Sequence, residues 1–486
     1  MIDINKNKKI IIITIISLIV LTGIYLLYNT YALTTKTTNN GDYYTINLTD
    51  SNIVSLAANE EKTVIYQINN TNNGTVSYGV AYNNSNVAVK VYSDSKDKVT
   101  GTIGANDNKY VKLHLKNKTS SNTTVEITAV MGYENGGDLI VPSNSTLVTE
   151  TYTKPVSLAK YITNLYTNAD KTKVTNNSIE YQYATSVGLM NDRLGGTTPS
   201  LDGGNIRYYG ASPNNYVYFN CETYPSTNCE LWRIIGVFNG KVKLMRNSTI
   251  GSYSWDTSAS SVNNGSGVNE WSQADLMKLL NPEHESESVG GSLYYNSKSG
   301  TCYNGQNNAT TSCDFTSTGI KNEITKKMIA NFTWNFGMYN DSSDLYSNQI
   351  YVKERGTNVF ANPSDGITRT STWNGKIALP HPSDYGYATD FSKCTDNIFD
   401  VDETDKTFYN CGANDWMLRV GVTTNYWLLV PSNFNESGVN LAYVSGYLIN
   451  STKAFYAYEI IPTLYLEDQI LYFGDGSQSN PYQLKA

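Results

Sequence analysis

The sequence predicts a mainly β chain with α+β character: an N-terminal transmembrane helix, a β-sandwich, and a larger, loop-rich α+β domain. Three observations carry that expectation. Only 16% of the 486 residues are charged while 39 are tyrosine, a polar, weakly charged composition that suits strands better than helices. Residues 10–28 form one uncharged apolar run, IIIITIISLIVLTGIYLLY. Short alternating segments then recur up to about residue 150, and every tryptophan and cysteine lies beyond residue 220. A chain of this length exceeds one ordinary core, so more than one domain is expected.

As a helix the apolar run would be about 28 Å long, close to the hydrocarbon thickness of a bilayer. Lys6, Lys8 and Lys9 precede it and no charge follows at once, which sets the N-terminus inside and the rest of the chain outside the cell. Residues 1–32 therefore read as a cytoplasmic tip and signal-anchor helix of a single-pass membrane protein. Cleavage of a signal peptide near Thr30 and Ala32 is the rival reading. The formal net charge is −7, with no basic stripe or arginine cluster, so nucleic acid is not an expected partner.

Residues 38–150 carry YYTINL, TVIYQI, VSYGVAY, VAVKVY, YVKLHL and TVEITAV between Asn/Gly/Ser turns. That spacing predicts an immunoglobulin-like β-sandwich, read as a spacer, with His114 a surface or satisfied histidine in one strand. The second domain is expected over 157–486. It opens on SLAKYITNLYTN, where Leu158, Ile162 and Leu165 fall at helical spacing behind Ser157 as N-cap. Two more helices are expected, one over 272–280 stopped by Asn281-Pro282, and one over 320–332 with Ile324 and Met328 on one stripe.

The six cysteines fall into three local couples: Cys221 with Cys229, Cys302 with Cys313, and Cys394 with Cys411. Fifteen pairings are formally open, but in an oxidising compartment each short loop would restrict the unfolded chain by roughly 2.5–3 kcal/mol on closing. CxxC spacing with histidine support, the mark of a metal site, is absent. In CETYPSTNCELWRIIGVF the first couple staples a loop at the entry of a buried strand. Asn239-Gly240 is the two-residue turn that suits twisted strands, and it leads into KVKLM. Counting across it sets Val242 opposite Val237 and Leu244 opposite Ile235. Trp232, Ile234, Phe238 and Met245 then lie on the other face, so the sheet is covered on both sides and Trp232 belongs to a core. Arg233 is expected to pair with a carboxylate.

The segments NNYVYFN, ELWRIIGVFNGKVKL, YSWDTSASSVNNGSGVNEWSQADLMKLLNPE, GTCYNGQNNATTSCDFTSTG, TWNGKIALPHPSDYGYATDFSKC and GDGSQSNPYQL resemble an uncharacterised family of bacterial membrane-anchored surface proteins. The likeness covers most of 157–486, and the family's C-terminal domain is distantly similar to C-type-lectin-like and formylglycine-generating-enzyme-like folds. Two stretches depart from the family pattern, YWLLVPS from Tyr426 and YEIIPTLYL from Tyr458. In the second, Ile461 stands where relatives tend to carry an arginine, which removes any contact that depended on it. The family supplies a location and a fold rather than a reaction.

Catalytic candidates are sparse. His284 in PEHESES and His381 in LPHPSDYGY read as loop histidines, and no GxSxG, HExxH or P-loop pattern is present. Asp400, Asp402 and Asp405, with Asp396 and Glu403, could offer hard oxygens to Ca²⁺, but the loop lacks the glycine and terminal glutamate of an EF-hand and reads as a solvated acidic loop. No cofactor is expected. The function expected is a cell-surface recognition or adhesion protein whose non-catalytic domain binds a glycan or a protein ligand; an envelope-associated hydrolase and a purely structural envelope protein are the rivals. The ligand site is expected at Asp384, Tyr385 and Tyr387, with Asn414, Asp415 and Trp416 after the last cysteine. Exposed aromatic faces beside carboxylates and amides suit a sugar. Core packing alone would account for Trp416, and turn chemistry for the Asp and Asn.

Overall fold

The computed structural model describes residues 36–38, 45–48, 53–71, 73–134, 138–193, 204–258, 265–339, 345–359, 364–394, 411–417, 425–432, 437–442 and 450–485. The expected membrane helix lies outside these residues. Among the described residues no helix is long and apolar enough to cross a membrane. The molecule is mainly β with few helices, and it divides between Lys154 and Pro155 into two compact units.

The N-terminal unit is a two-sheet sandwich. One sheet pairs Lys36–Thr38, Thr45–Leu48, Glu61–Asn70, Asn108–Asn117, Val87–Tyr92 and Thr151–Tyr152 in that order. The other pairs Thr146–Leu147, Val76–Tyr82, Thr123–Glu134 and Ile53–Leu56, with Thr100–Ile103 also joined to Val76–Tyr82. Period-2 alternation turns Val64, Tyr66 and Ile68 of one sheet, and Val125, Ile127 and Ala129 of the other, into a common core. His114 is a satisfied histidine: its Nε2 lies 3.2 Å from Glu61 Oε2, and its ring stacks on Tyr152 at 3.5 Å between centroids.

The C-terminal unit centres on a nine-stranded sheet. The strands Glu230–Phe238 and Lys241–Arg246 lie in its middle, and the late strand Thr463–Tyr465 inserts beside Lys241–Arg246. A separate five-stranded sheet is built around Tyr426–Pro431. Cys221–Cys229, Cys302–Cys313 and Cys394–Cys411 are all bonded.

The Asn239-Gly240 turn forms as expected, with φ of 49° and 77°. Val242 faces Val237, but a bulge at Ile235 shifts the register, so Leu244 faces Ile234 and Gly236 faces Lys243. The reason sits at Gly236: an added Cβ would fall 2.2 Å from the carbonyl oxygen of Ile206, so the neighbouring strand packs where only glycine leaves room.

The first helix, Leu158–Asn168, starts on Ser157, whose Oγ accepts from the Lys160 N–H at 3.2 Å. The second is a 3-10 turn, Trp271–Gln273, followed by the helix Asp275–Leu280. The third is shorter than expected, Glu323–Met328, because Asn322 caps it late and the chain returns to strand at Phe332. Within it Met328 is buried while Ile324 is 48% exposed, so the two do not share an inward stripe.

Gly236→Ala should lower the urea midpoint, equivalent to about 1–3 kcal/mol of overpacking. Tryptophan fluorescence would report it, since all seven tryptophans lie in this unit.

Candidate functional site

The expected site residues meet in space, but as interior rather than as surface. Residues Pro382–Ala388 form a helix, with proline at its first turn and Asp384 accepting from the His381 N–H at 2.9 Å. The helical turn carries both tyrosines inward. Tyr385 packs on Tyr426, and Tyr387 on Tyr181 and Phe391. Thr389 pairs with Asp415, whose Oδ2 accepts from the Thr389 hydroxyl at 2.7 Å. The Trp416 indole N–H donates to the Tyr208 carbonyl at 2.9 Å, and its ring lies under the Arg233 guanidinium. Asp384, Tyr385, Tyr387, Asp415 and Trp416 are all buried, which corrects the expected exposed loop; Asn414 alone is partly exposed. Asp400, Asp402 and Asp405 lie outside the described residues. Among the described residues no group of three or more metal-ligating side chains converges.

Arg233 is also resolved differently from expectation. Its Nε donates to Asn215 Oδ1 at 2.6 Å, and its guanidinium lies 3.9 Å from the Tyr216 ring centroid. An amide and two aromatic faces take the place of the expected carboxylate. Trp232 is core, with its indole N–H on Glu230.

What the helix does hold is a buried charge network. Asp384 Oδ2 lies 2.5 Å from Lys243 Nζ, and its Oδ1 lies 3.1 Å from Arg207 Nη1. Arg207 Nε in turn donates to Asp192 at 2.6 Å. Ser383 donates through both its N–H and its hydroxyl to Glu354, which also pairs with Arg355. His381 fixes the proton bookkeeping: Lys243 Nζ donates to Nδ1 at 2.9 Å, so the ring proton sits on Nε2 and donates to the Asn335 carbonyl at 2.7 Å.

Burial drives the shifts in this network. It pushes the His381 imidazole well below 6.5, with the Lys243 and Arg355 charges adding to it. It raises the Asp384 carboxyl, but Lys243 and Arg207 outweigh it and hold the group well below the ordinary carboxylate range. Lys243, against the pull of Asp384, is pushed down to about 8. The sequence offered one unused signal here: a lysine in the middle of a strand expected to be covered on both faces.

Accessible chemistry lies elsewhere in the same unit. A cavity of about 310 Å³ opens where the strand Thr372–Gly375 meets the loop after the helix Asp275–Leu280. Its volume falls at the lower end of small-ligand sites, roughly 300–1,000 Å³. Trp373 lines it partly buried, lying across Gly375, where a Cβ would fall 1.9 Å from the indole. Trp271 supports that indole edge-on at 6.0 Å. Asn281 fixes the base, accepting from the Ile377 N–H at 2.9 Å and donating to the Met277 carbonyl at 3.0 Å. Around the rim stand Glu283, His284, Asn331 and Asn374. The Glu283 carboxylate and the Asn331 amide form no side-chain hydrogen bond among the described residues. A wider groove of about 530 Å³ passes Asp390 and Lys393, but its aromatic, Tyr209, is only 6% exposed.

No protein-family model matches the chain, and no curated protein is similar to it.

Burial turns the two tyrosines into stability positions. Tyr385→Ala and Tyr387→Ala should each cost about 3–5 kcal/mol, read as a lowered melting temperature. Asp384→Ala leaves Lys243 in the interior without its carboxylate and should cost about 3–5 kcal/mol. Below pH 6.5 the unfolded chain protonates at His381 and the folded chain does not, so stability should fall as pH drops from that value. Urea melts followed by tryptophan fluorescence should show that slope, and His381→Gln should reduce it.

Proposed function

We propose that the protein is a bacterial cell-surface recognition or adhesion protein, held by the apolar run at residues 10–28, whose C-terminal unit binds a ligand without catalysing a reaction. The observation that carries this reading is the Trp373 cavity. A supported, partly buried indole offers an apolar face, while the exposed Glu283 carboxylate and Asn331 amide stand ready to bond a partner. A pyranose has that combination of C–H surface and hydroxyls, so a glycan is the preferred ligand over a protein segment.

Three short-range disulfides favour an oxidising, extracytoplasmic setting. The sandwich unit fits an immunoglobulin-like spacer, and the resemblance to membrane-anchored surface proteins with a C-type-lectin-like domain points the same way.

A glycan array probed with residues 33–486 tests the reading. Binding should be found, and Trp373→Ala and the exposed Asn331→Ala should each weaken it, Trp373→Ala by roughly tenfold or more. Binding that survives both substitutions in folded protein would move the site away from this cavity.

A further inference from the structure

We propose that Lys243 and Asp384 condense after folding into an intramolecular amide, a covalent tie between the central sheet and the helix Pro382–Ala388. This inference stands apart from the cavity and its ligand.

The two reacting groups are held in contact and shielded from water. Lys243 Nζ and Asp384 Oδ2 are 2.5 Å apart, and both side chains are 0% exposed. The rings of Phe238, Trp334 and Tyr465 surround the amine, with centroids 5.5, 5.5 and 5.6 Å away. Positioning of this kind replaces an encounter between two molecules by a step within one. It also removes the water that would otherwise make amide formation unfavourable.

The neighbouring groups supply what the step needs. His381 Nδ1 lies 2.9 Å from Lys243 Nζ and 3.8 Å from Asp384 Oδ2, with its lone pair turned toward both because Nε2–H is tied to Asn335. It can take a proton from the ammonium and return it to the departing oxygen. Arg207 Nη1, 3.1 Å from Asp384 Oδ1, stabilises the negative charge that develops on that oxygen in the tetrahedral intermediate. Burial that lowers the ammonium to about 8 brings the free amine within reach.

The balance closes without any further reagent. The Nζ lone pair forms a bond to Asp384 Cγ, and the Cγ–Oδ2 bond breaks. Two of the three ammonium protons leave with Oδ2 as water, and the third stays on the amide nitrogen, where it can still donate to His381 Nδ1. One buried charge of each sign disappears, which relieves their desolvation, while Arg207–Asp192 and Arg355–Glu354 remain paired.

Peptide mapping of the full-length protein by mass spectrometry, after reduction of the disulfides, tests this directly. A branched peptide joining the segments around Lys243 and Asp384 is expected, lighter by one water than the sum of its parts, and trypsin should not cut after Lys243. In Lys243→Arg the Asp384 segment should return to its linear mass. Linear peptides of unmodified mass for both segments in the wild-type protein would overturn the proposal, and so would a water loss that persists in Lys243→Arg.

Discussion

One buried carboxylate organises the C-terminal unit. Asp384 meets Lys243 from the strand Lys241–Arg246, Arg207 from the strand Ile206–Tyr208, and the N-terminus of its own helix through the His381 N–H. Water cannot screen these contacts, so Lys243 depends on this carboxylate, whereas Arg207 is also held by Asp192. The requirement fixes where the helix Pro382–Ala388 sits on the sheet. It also fixes which way Tyr385 and Tyr387 point, and so why the stretch that looks like a binding loop is interior.

The remaining devices act locally around that centre. The three bridges span separations of only 8, 11 and 17 residues, so they shape loops rather than join layers. Distant parts of the chain are joined by long-range contacts: Thr463–Tyr465 pairs with Lys241–Arg246 in one sheet, and Trp416 reaches back to Tyr208. The cavity follows the same logic, because Asn281 bonds both the helix Asp275–Leu280 and the strand Ile377–Ala378, and so sets the floor beneath Trp373.

Much of the mainly β, mixed architecture was legible because its signals are local. Alternation in TVIYQI, the cap at Ser157, the turn at Asn239-Gly240 and the cysteine couples each depend on residues a few positions apart. The bulge at Ile235 was not legible, since it depends on how closely the strand Ile206–Tyr208 approaches Gly236. Nor was Ile324, which helical spacing sets with Met328 although the helix is only long enough to bury the latter. PSDYGYA has a loop's composition, yet Pro382 at the first turn and Asp384 two residues later are also helix-start signals. Choosing between those readings required Lys243, which lies 141 residues away. The Trp373 cavity was equally hidden, because its walls come from segments about ninety residues apart that neither carry a shared motif nor change composition.

The claim at the centre is that a closed, water-free charge network holds His381 neutral with its proton on Nε2. Long-range ¹H–¹⁵N correlation of the histidine rings, followed from about pH 8 to pH 5, reads that state directly. The account predicts one ring locked in the Nε2–H tautomer throughout, and lost when His381 is replaced by glutamine. A His381 ring that titrates near 6.5, or one exchanging between tautomers, would contradict it.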